Sequence, residues 1–331
     1  MKILYVAMKY DYGRPEQGLS FEHTNFYGSL LRMGHEIHYF DFLSIEQAHG
    51  RSEMNARLGN VALELGADLM FCCLFQDNFD FKTIRAISDA GVTVTFNWFA
   101  DDHWRFENFS SRWAPAFNFV ATTAASALAK YAVLGYASVL KTQWACNHFD
   151  YRHLGLPLDA EVSFVGLAHG NRPKLIACLR KAGIAVQTHG KGWPEGRIDQ
   201  EEMIGLFNRS RINLNFSDAS QKSPSLWKRL CRGAGAPIPQ IQQIKGRNFE
   251  IPGCGGFLLT DAAENLDQYY VPGKEVVVYN DAKDLVEKIR YYLAHEGERA
   301  AIAQAGYERT IREHTYERRF FEIFAQMGLP Q

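Results

Sequence analysis

The sequence predicts an α/β protein built from two Rossmann-like domains. Three observations carry this reading. The chain has 331 residues, more than one ordinary core fills. Short apolar runs alternate with stretches of helical spacing as far as Thr142, and the same alternation begins again near residue 162. We therefore expect domains at 1–150 and 151–331, with 144–161 as linker and the last helix placed to pack back on the N-terminal domain. Each domain should carry a parallel sheet with helices on both faces, and ligands should sit at the carboxyl ends of the strands, across a central cleft.

The elements follow in order. Residues 2–8 (KILYVAM) read as a strand, followed by a loop with Gly13 and Gly18. Ser20 to Met33 has helical spacing through Phe21, Phe26, Leu30 and Leu31, and Gly34 closes it. Strands are expected at 36–42, 68–74, 92–98, 117–122 and 139–142, with helices at 53–65, 80–90 and 126–134. In the second half, strands are expected at 162–167, 185–189, 211–216, 256–260 and 276–279. Helices are expected at 172–182, 201–208, 249–254 and 282–295, with 297–327 helical throughout.

Composition removes several classes. Hydrophobic content of 47% and charged content of 22% are those of a globular chain. A formal net charge of −1 provides no global basic field to recruit nucleic acid. Cys72, Cys73, Cys146, Cys178, Cys231 and Cys254 form no CxxC pair, so neither a zinc site nor a disulfide framework is expected. His23, His35 and His38 lack ligand spacing and read as structural. Lys9, Asp11 and Arg14 interrupt the first apolar run, which argues against a signal peptide, and no run is long enough to span a bilayer. The expected protein is reduced, soluble and cytoplasmic. There is no P-loop and no GxGxxG; the nearest stretch, Gly166-Leu-Ala-His-Gly170, has the wrong spacing.

The richest segment is Lys245-Gly-Arg-Asn-Phe-Glu-Ile-Pro-Gly-Cys-Gly-Gly-Phe-Leu-Leu-Thr-Asp261. Lys245, Arg247 and Glu250 precede a turn at Gly255 and Gly256, then a short apolar strand. The cations suit phosphates, the carboxylate suits a vicinal diol, and the glycines admit close backbone approach to an anion.

Further motifs bring a family into view: Phe164-Val-Gly166 followed by Arg172, then Gly190-Lys-Gly-Trp193 and Ile212-Asn-Leu-Asn215. Arg247 to Thr260, Gly273-Lys-Glu275, and His314-Thr-Tyr316 with Arg318 complete the set. With Trp98-Phe-Ala-Asp-Asp102 more loosely in the first half, the chain resembles the group 1 glycosyltransferase domain of CgeB-like spore maturation proteins. The resemblance covers about half of the chain. It implies the GT-B architecture, two Rossmann-like domains facing across a central cleft. It also implies transfer of a sugar from a nucleoside diphosphate sugar, with no metal or other cofactor. The donor would sit on the C-terminal domain. The acceptor, a glycan, protein, lipid-linked or small-molecule hydroxyl, would sit on the N-terminal one.

On that resemblance Glu250 falls at the second Glu of a Glu–seven residues–Glu pair, a ribose ligand; the alternative is a helix-start Glu favoured by the dipole. The first position of the pair is Gln242, which leaves retention or inversion open. Arg172 begins a helix and can grip a diphosphate, while the family's neighbouring cation position holds Leu167, so Lys245 or Arg247 is a candidate replacement. Gly166 and Gly190 lie at strand ends, and Arg197 and Ile198 lie where backbone meets a nucleobase. Asn215 and Ser217 end a strand at the same edge, with turn capping as the alternative. Asp101 and Asp102 are candidate general bases for the acceptor hydroxyl, at most one of them facing the cleft, with helix capping as the alternative. Gly13, Glu22 and Trp98 mark the acceptor side. Thr315 is expected to cap the last helix. Two rival functions remain open: a sugar-nucleotide epimerase or hydrolase on the same fold, and a non-catalytic binding module.

Overall fold

The computed structural model describes residues 1–218 and 242–330. Cys231 lies outside them. The described residues fall into two compact units, one from Met1–Phe149 and Thr315–Gln331, the other from Asp150–His314.

The first unit is a six-stranded sheet. Its strands are β1 (Lys2–Ala7), β2 (Glu36–Asp41), β3 (Leu69–Cys72), β4 (Val94–Phe99), β5 (Phe119–Thr122) and β6 (Val139–Lys141). They lie in the order β2-β1-β3-β4-β5-β6, every pairing parallel. Such strands need both faces covered, and alternation supplies both. Leu4, Val6, Met70, Cys72 and Phe99 enter one apolar cluster. Ile3, Tyr5, Leu69, Phe71, Phe96 and Trp98 enter the other, which the C-terminal helix Tyr316–Gln326 seals with Tyr316, Phe320, Ile323 and Phe324.

Local chemistry changed several expected elements. Asp41 caps an additional helix, Phe42–His49, accepting from the Ser44 hydroxyl at 2.5 Å. The chain after β4 turns helical at Asp102–Arg105 and stays helical, with π-type turns, through Trp113. The first helix opens as a π-helix, Glu22–Tyr27, before becoming regular at Gly28–Arg32. The expected single helix over 297–327 is two, Glu296–Glu313 and Tyr316–Gln326. Thr315 leaves the helical conformation and accepts from Arg318 N at 3.3 Å as the N-cap.

The second unit is a five-stranded parallel sheet of β7 (Ala160–Val165), β8 (Val186–His189), β9 (Ser210–Asn215), β10 (Leu258–Asp261) and β11 (Val277–Tyr279). The order is β11-β10-β9-β7-β8. One face is apolar, with Val162, Phe164, Ile212, Leu214 and Leu259 in the core. The opposite face carries a polar ladder: Ser210 Oγ to Ser163 Oγ at 2.8 Å, then Ser163 Oγ to Asn213 Oδ1 at 2.9 Å. Within their units the strand orders are thus 2-1-3-4-5-6 and 2-1-3-4-5. The order reverses between β1 and β3, and between β7 and β9, where an open parallel sheet forms its ligand crevice.

Candidate functional site

At the β7/β9 reversal stands Arg172, the first residue of the helix Arg172–Lys181. Its side chain folds back across both strand ends, donating to Leu167 O at 3.2 Å and Phe216 O at 3.0 Å. It is only 7% exposed, and its Nε has no hydrogen-bond partner among the described residues. Burial lowers the arginine's pKa, while Asp218 and Asp261 act to hold its charge. His169, unremarked in the sequence because it sits inside a failed dinucleotide motif, is held below the ordinary imidazole value. Burial does most of this, Arg172 adds to it, Asp218 opposes it, and Lys245 contributes again. A cationic field of Arg172 and Lys245 therefore reaches this strand edge.

The loop after β8 closes on the loop after β7. Gly190 has φ +133°, and a Cβ there would lie 2.3 Å from Gly166 O, so backbone packing already requires glycine. Trp193 Nε1 donates to Gly166 O at 2.8 Å and braces the same pair of loops. Arg197 is exposed and Ile198 half-buried, beyond this brace and before the helix Gln200–Arg209.

Asn215 and Ser217 are buried and engaged with protein. Asn215 Nδ2 donates to Asn248 Oδ1 at 3.0 Å and Thr260 Oγ1 at 3.2 Å. Ser217 N donates to Asp261 Oδ1 at 2.7 Å and its hydroxyl to Ala262 O at 2.8 Å. Asn248 Oδ1 also accepts from Lys245 N at 2.9 Å, so this network fixes the start of the helix Arg247–Gly253.

Arg247 and Glu250, expected to meet separate parts of a donor, are brought to each other as an ion pair on that helix. Glu250 is 0% exposed. Burial opposes the Arg247 charge, but Glu250 beside it holds the guanidinium above the ordinary arginine value, with Tyr151 adding to the effect. The former linker packs on this helix: a Cβ at Gly255 would meet the His153 ring at 2.9 Å. Gly256 N returns to Ile251 O at 3.0 Å against the Asn213 side chain. Gln242 forms an isolated bridge to Asp218 through its backbone.

In the first unit, the two adjacent aspartates separate where the chain enters the helix Asp102–Arg105. Asp102 is 1% exposed and accepts from Tyr131 Oη at 2.8 Å. Burial raises its pKa, against hydrogen bonds from Ser110, Thr122 and Tyr131. Its Oδ1 is buried with no hydrogen-bond partner among the described residues, and Asp101 stays half-buried at the edge. Trp98 is corrected: at 3% exposure it is core, packed on Phe26 at 4.8 Å, and offers no face to a sugar. Trp144, which the sequence did not single out, is partly exposed and lies 5.0 Å from Phe21; Trp104 is partly exposed as well. Gly13 (φ +68°) backs onto Gln47 and Leu43 of the added helix.

Glu22 lies at the β1/β3 reversal. Tyr5 Oη, from β1, donates to its backbone carbonyl at 2.9 Å. Its Oε2 is buried with no hydrogen-bond partner among the described residues. Burial pushes its carboxyl up to about 7; backbone hydrogen bonding and Ser20 oppose this, while Asp11 and Asp101 reinforce it. Among the described residues, no group of three His, Cys, Asp or Glu side chains forms a metal-ligating set.

Sucrose-phosphate synthase (tll1590) from Thermosynechococcus elongatus superposes with a TM-score of 0.64 at 12% identity, covering 99% of this chain and 97% of that one. The fold is GT-B. Anabaena Alr3699/HepE, in a complex with UDP and glucose, gives 0.64 at 11% identity and 99% coverage of both chains. The glycosyl transferase-like family model matches residues 172–325 of this GT-B chain. Spore protein CgeB of Bacillus subtilis (strain 168) is 22% identical over 218 residues, 60% of this chain and 64% of that protein's length. No helix among the described residues is long and apolar enough to cross a membrane.

Proposed function

We propose that the protein is a glycosyltransferase that moves a sugar from a nucleoside diphosphate sugar to an acceptor hydroxyl, in the cytoplasm and without a metal. The observation that carries this is Arg172. A buried guanidinium spans the carboxyl ends of β7 and β9 with its Nε–H unused among the described residues, at the strand-order reversal where this sheet type takes its ligand. A diphosphate suits that donor geometry, with the helix N-terminus and Lys245 adding positive potential. The complexes of the Anabaena neighbour hold UDP and UDP-glucose, which makes these the first donors to test. In this reading the second unit holds the donor through Arg172, Lys245 and the Arg197–Ile198 loop, and the first unit holds the acceptor. Arg247 and Glu250 act together, fixing the helix beside the site.

The test is calorimetric titration with UDP and UDP-glucose. Arg172→Ala should weaken binding roughly 10–100-fold, about 1.4–2.7 kcal/mol. EDTA should leave the wild-type affinity unchanged. Equal affinity in wild type and variant would remove Arg172 from the site. Product analysis by NMR separates transfer from hydrolysis or epimerisation of the donor.

A further inference from the structure

We infer that the first unit takes an uncharged carbohydrate as acceptor and that the sugar stacks on the ring of Tyr12, an assignment that rests on the glycosyltransferase reading. Tyr12 lies in the loop after β1. Its ring meets Phe75, in the loop after β3, edge-on at 6.0 Å between centroids. These two loops flank the β1/β3 reversal, where an open parallel sheet forms its ligand crevice. Arg105, on the helix after β4, joins the same wall by donating to Phe75 O at 2.6 Å. Its guanidinium lies 4.2 Å from the ring centroid of Phe109 and 5.5 Å from that of Trp104. Three loops at the carboxyl edge are thereby tied into one aromatic wall.

The wall is fixed on both sides. Asp11 N donates to Gly18 O at 3.0 Å and Ser20 N to Lys9 O at 2.9 Å, so the loop that carries Tyr12 closes on itself. Asp77 accepts from Arg112 Nη2 at 2.8 Å and from Trp113 Nε1 at 2.7 Å, which anchors the loop that carries Phe75. Within this fixed frame Tyr12 holds φ +52°, a left-handed backbone that bulky residues rarely take. Core packing does not offset that strain, because Tyr12 is 56% exposed. Phe81, the other exposed aromatic among the described residues of this unit, takes no part in the ring pair. It begins the helix Phe81–Ala90 and packs on Trp113 at 6.2 Å.

Charge selects the class of ligand. Burial works against the Arg105 cation, while Asp101 and then Asp77 act to keep it charged, so the protein's own acids already compensate it. Lys9 is engaged by the Tyr10 ring, 5.4 Å from its centroid. Asp11 and Asp101 both bear on one point, the Glu22 carboxyl. A phosphate or carboxylate on the acceptor would meet these acids and be repelled. Hydroxyl groups suit them, since a carboxylate accepts from both members of a vicinal pair. The negative face of an aromatic ring attracts the polarised C–H bonds on one side of a pyranose. An uncharged sugar matches both the ring and its acidic rim.

Saturation-transfer NMR on the full chain, without donor, tests this. The probes are methyl β-D-glucopyranoside, cellobiose and maltose as uncharged sugars, glucuronate as an anionic counterpart and para-nitrophenol as an aromatic one. Wild type should bind at least one of the uncharged sugars, with the strongest saturation at the C–H protons of one ring face, and should bind it more tightly than glucuronate. Tyr12→Ala should weaken that binding about 3- to 10-fold. Tyr12→Phe should keep it, and Phe81→Ala should leave it unchanged. Binding of none of these sugars, equal affinity in Tyr12→Ala, or a preference for glucuronate or para-nitrophenol overturns the assignment. The sugar that binds is then offered as acceptor with UDP-glucose as donor. Tyr12→Ala should raise its KM by the same factor and leave the KM for UDP-glucose unchanged. Transfer that does not depend on Tyr12 removes the stacking surface and leaves the glycosyltransferase reading standing. Sugar binding with no transfer by the wild type overturns the glycosyltransferase reading, and the acceptor role of the surface with it.

Discussion

Glu22 and Glu250 both lie in the first turn of a helix beside the carboxyl edge of a parallel sheet, yet their surroundings are opposite. Glu250 is enclosed and meets a guanidinium one helical turn away. Glu22 keeps a buried oxygen without a hydrogen-bond partner among the described residues and has carboxylates as its main charged neighbours. The contrast separates two uses of a buried acid. One is neutralised by a partner and holds architecture in place. The other is left near its own titration point, and a proton is the partner it lacks.

Glu250→Ala leaves the Arg247 guanidinium, whose side chain is 25% exposed, without its buried partner and should cost roughly 2–4 kcal/mol in urea unfolding, below the full cost of a wholly buried pair. Replacing both members by apolar residues of similar volume should recover most of that loss. A near-neutral Glu250→Ala would mean that the pair is not a structural unit and would return Glu250 to the ribose expectation.

The second effect sharpens the other half. Burial raises the Glu22 carboxyl from 4.5 to about 7 in the folded state. Between those values the folded protein binds more protons than the unfolded chain, so stability falls as pH rises through the window. Glu22→Gln removes this penalty. The variant should match wild type at pH 4 and exceed it above pH 7 by on the order of 1–3 kcal/mol. A pH-independent difference between the two would contradict the buried, unpaired carboxyl.

The smallest effect concerns the joint between the units' sequences. Thr315→Ala should cost roughly 1 kcal/mol, through loss of the cap on Tyr316–Gln326. A larger loss would show that the joint supports more than one helix.

Alternating apolar runs made the two parallel sheets legible, because strands buried on both faces must be written almost wholly in apolar residues, and the family resemblance added the GT-B architecture. Arg172 was legible as a helix-start cation. Its reach to Phe216 O was not, because the strand bearing that carbonyl lies 44 residues along the chain. The burial of Trp98, Asp102 and Glu250 was not legible. A residue's type and its place in a motif say what it can bind, while burial decides whether a ligand reaches it. The helix Phe42–His49 was missed because Phe42 and Leu43 extend the apolar content of the preceding strand, hiding the Asp41 cap between them. His169 and Trp144 carry no spacing signal, and only three-dimensional neighbours distinguish them.

The helix Tyr316–Gln326 closes the N-terminal sheet although it follows the whole second unit in sequence. During synthesis, Tyr5, Phe26 and Phe71 must therefore wait for a covering that emerges some 250 residues later than Phe71, as the numbering gives. The second unit, continuous in sequence, can complete its core first. A chain stopped at His314 would carry an open aromatic face on its first unit, a natural target for holdase chaperones, while its second unit folded normally.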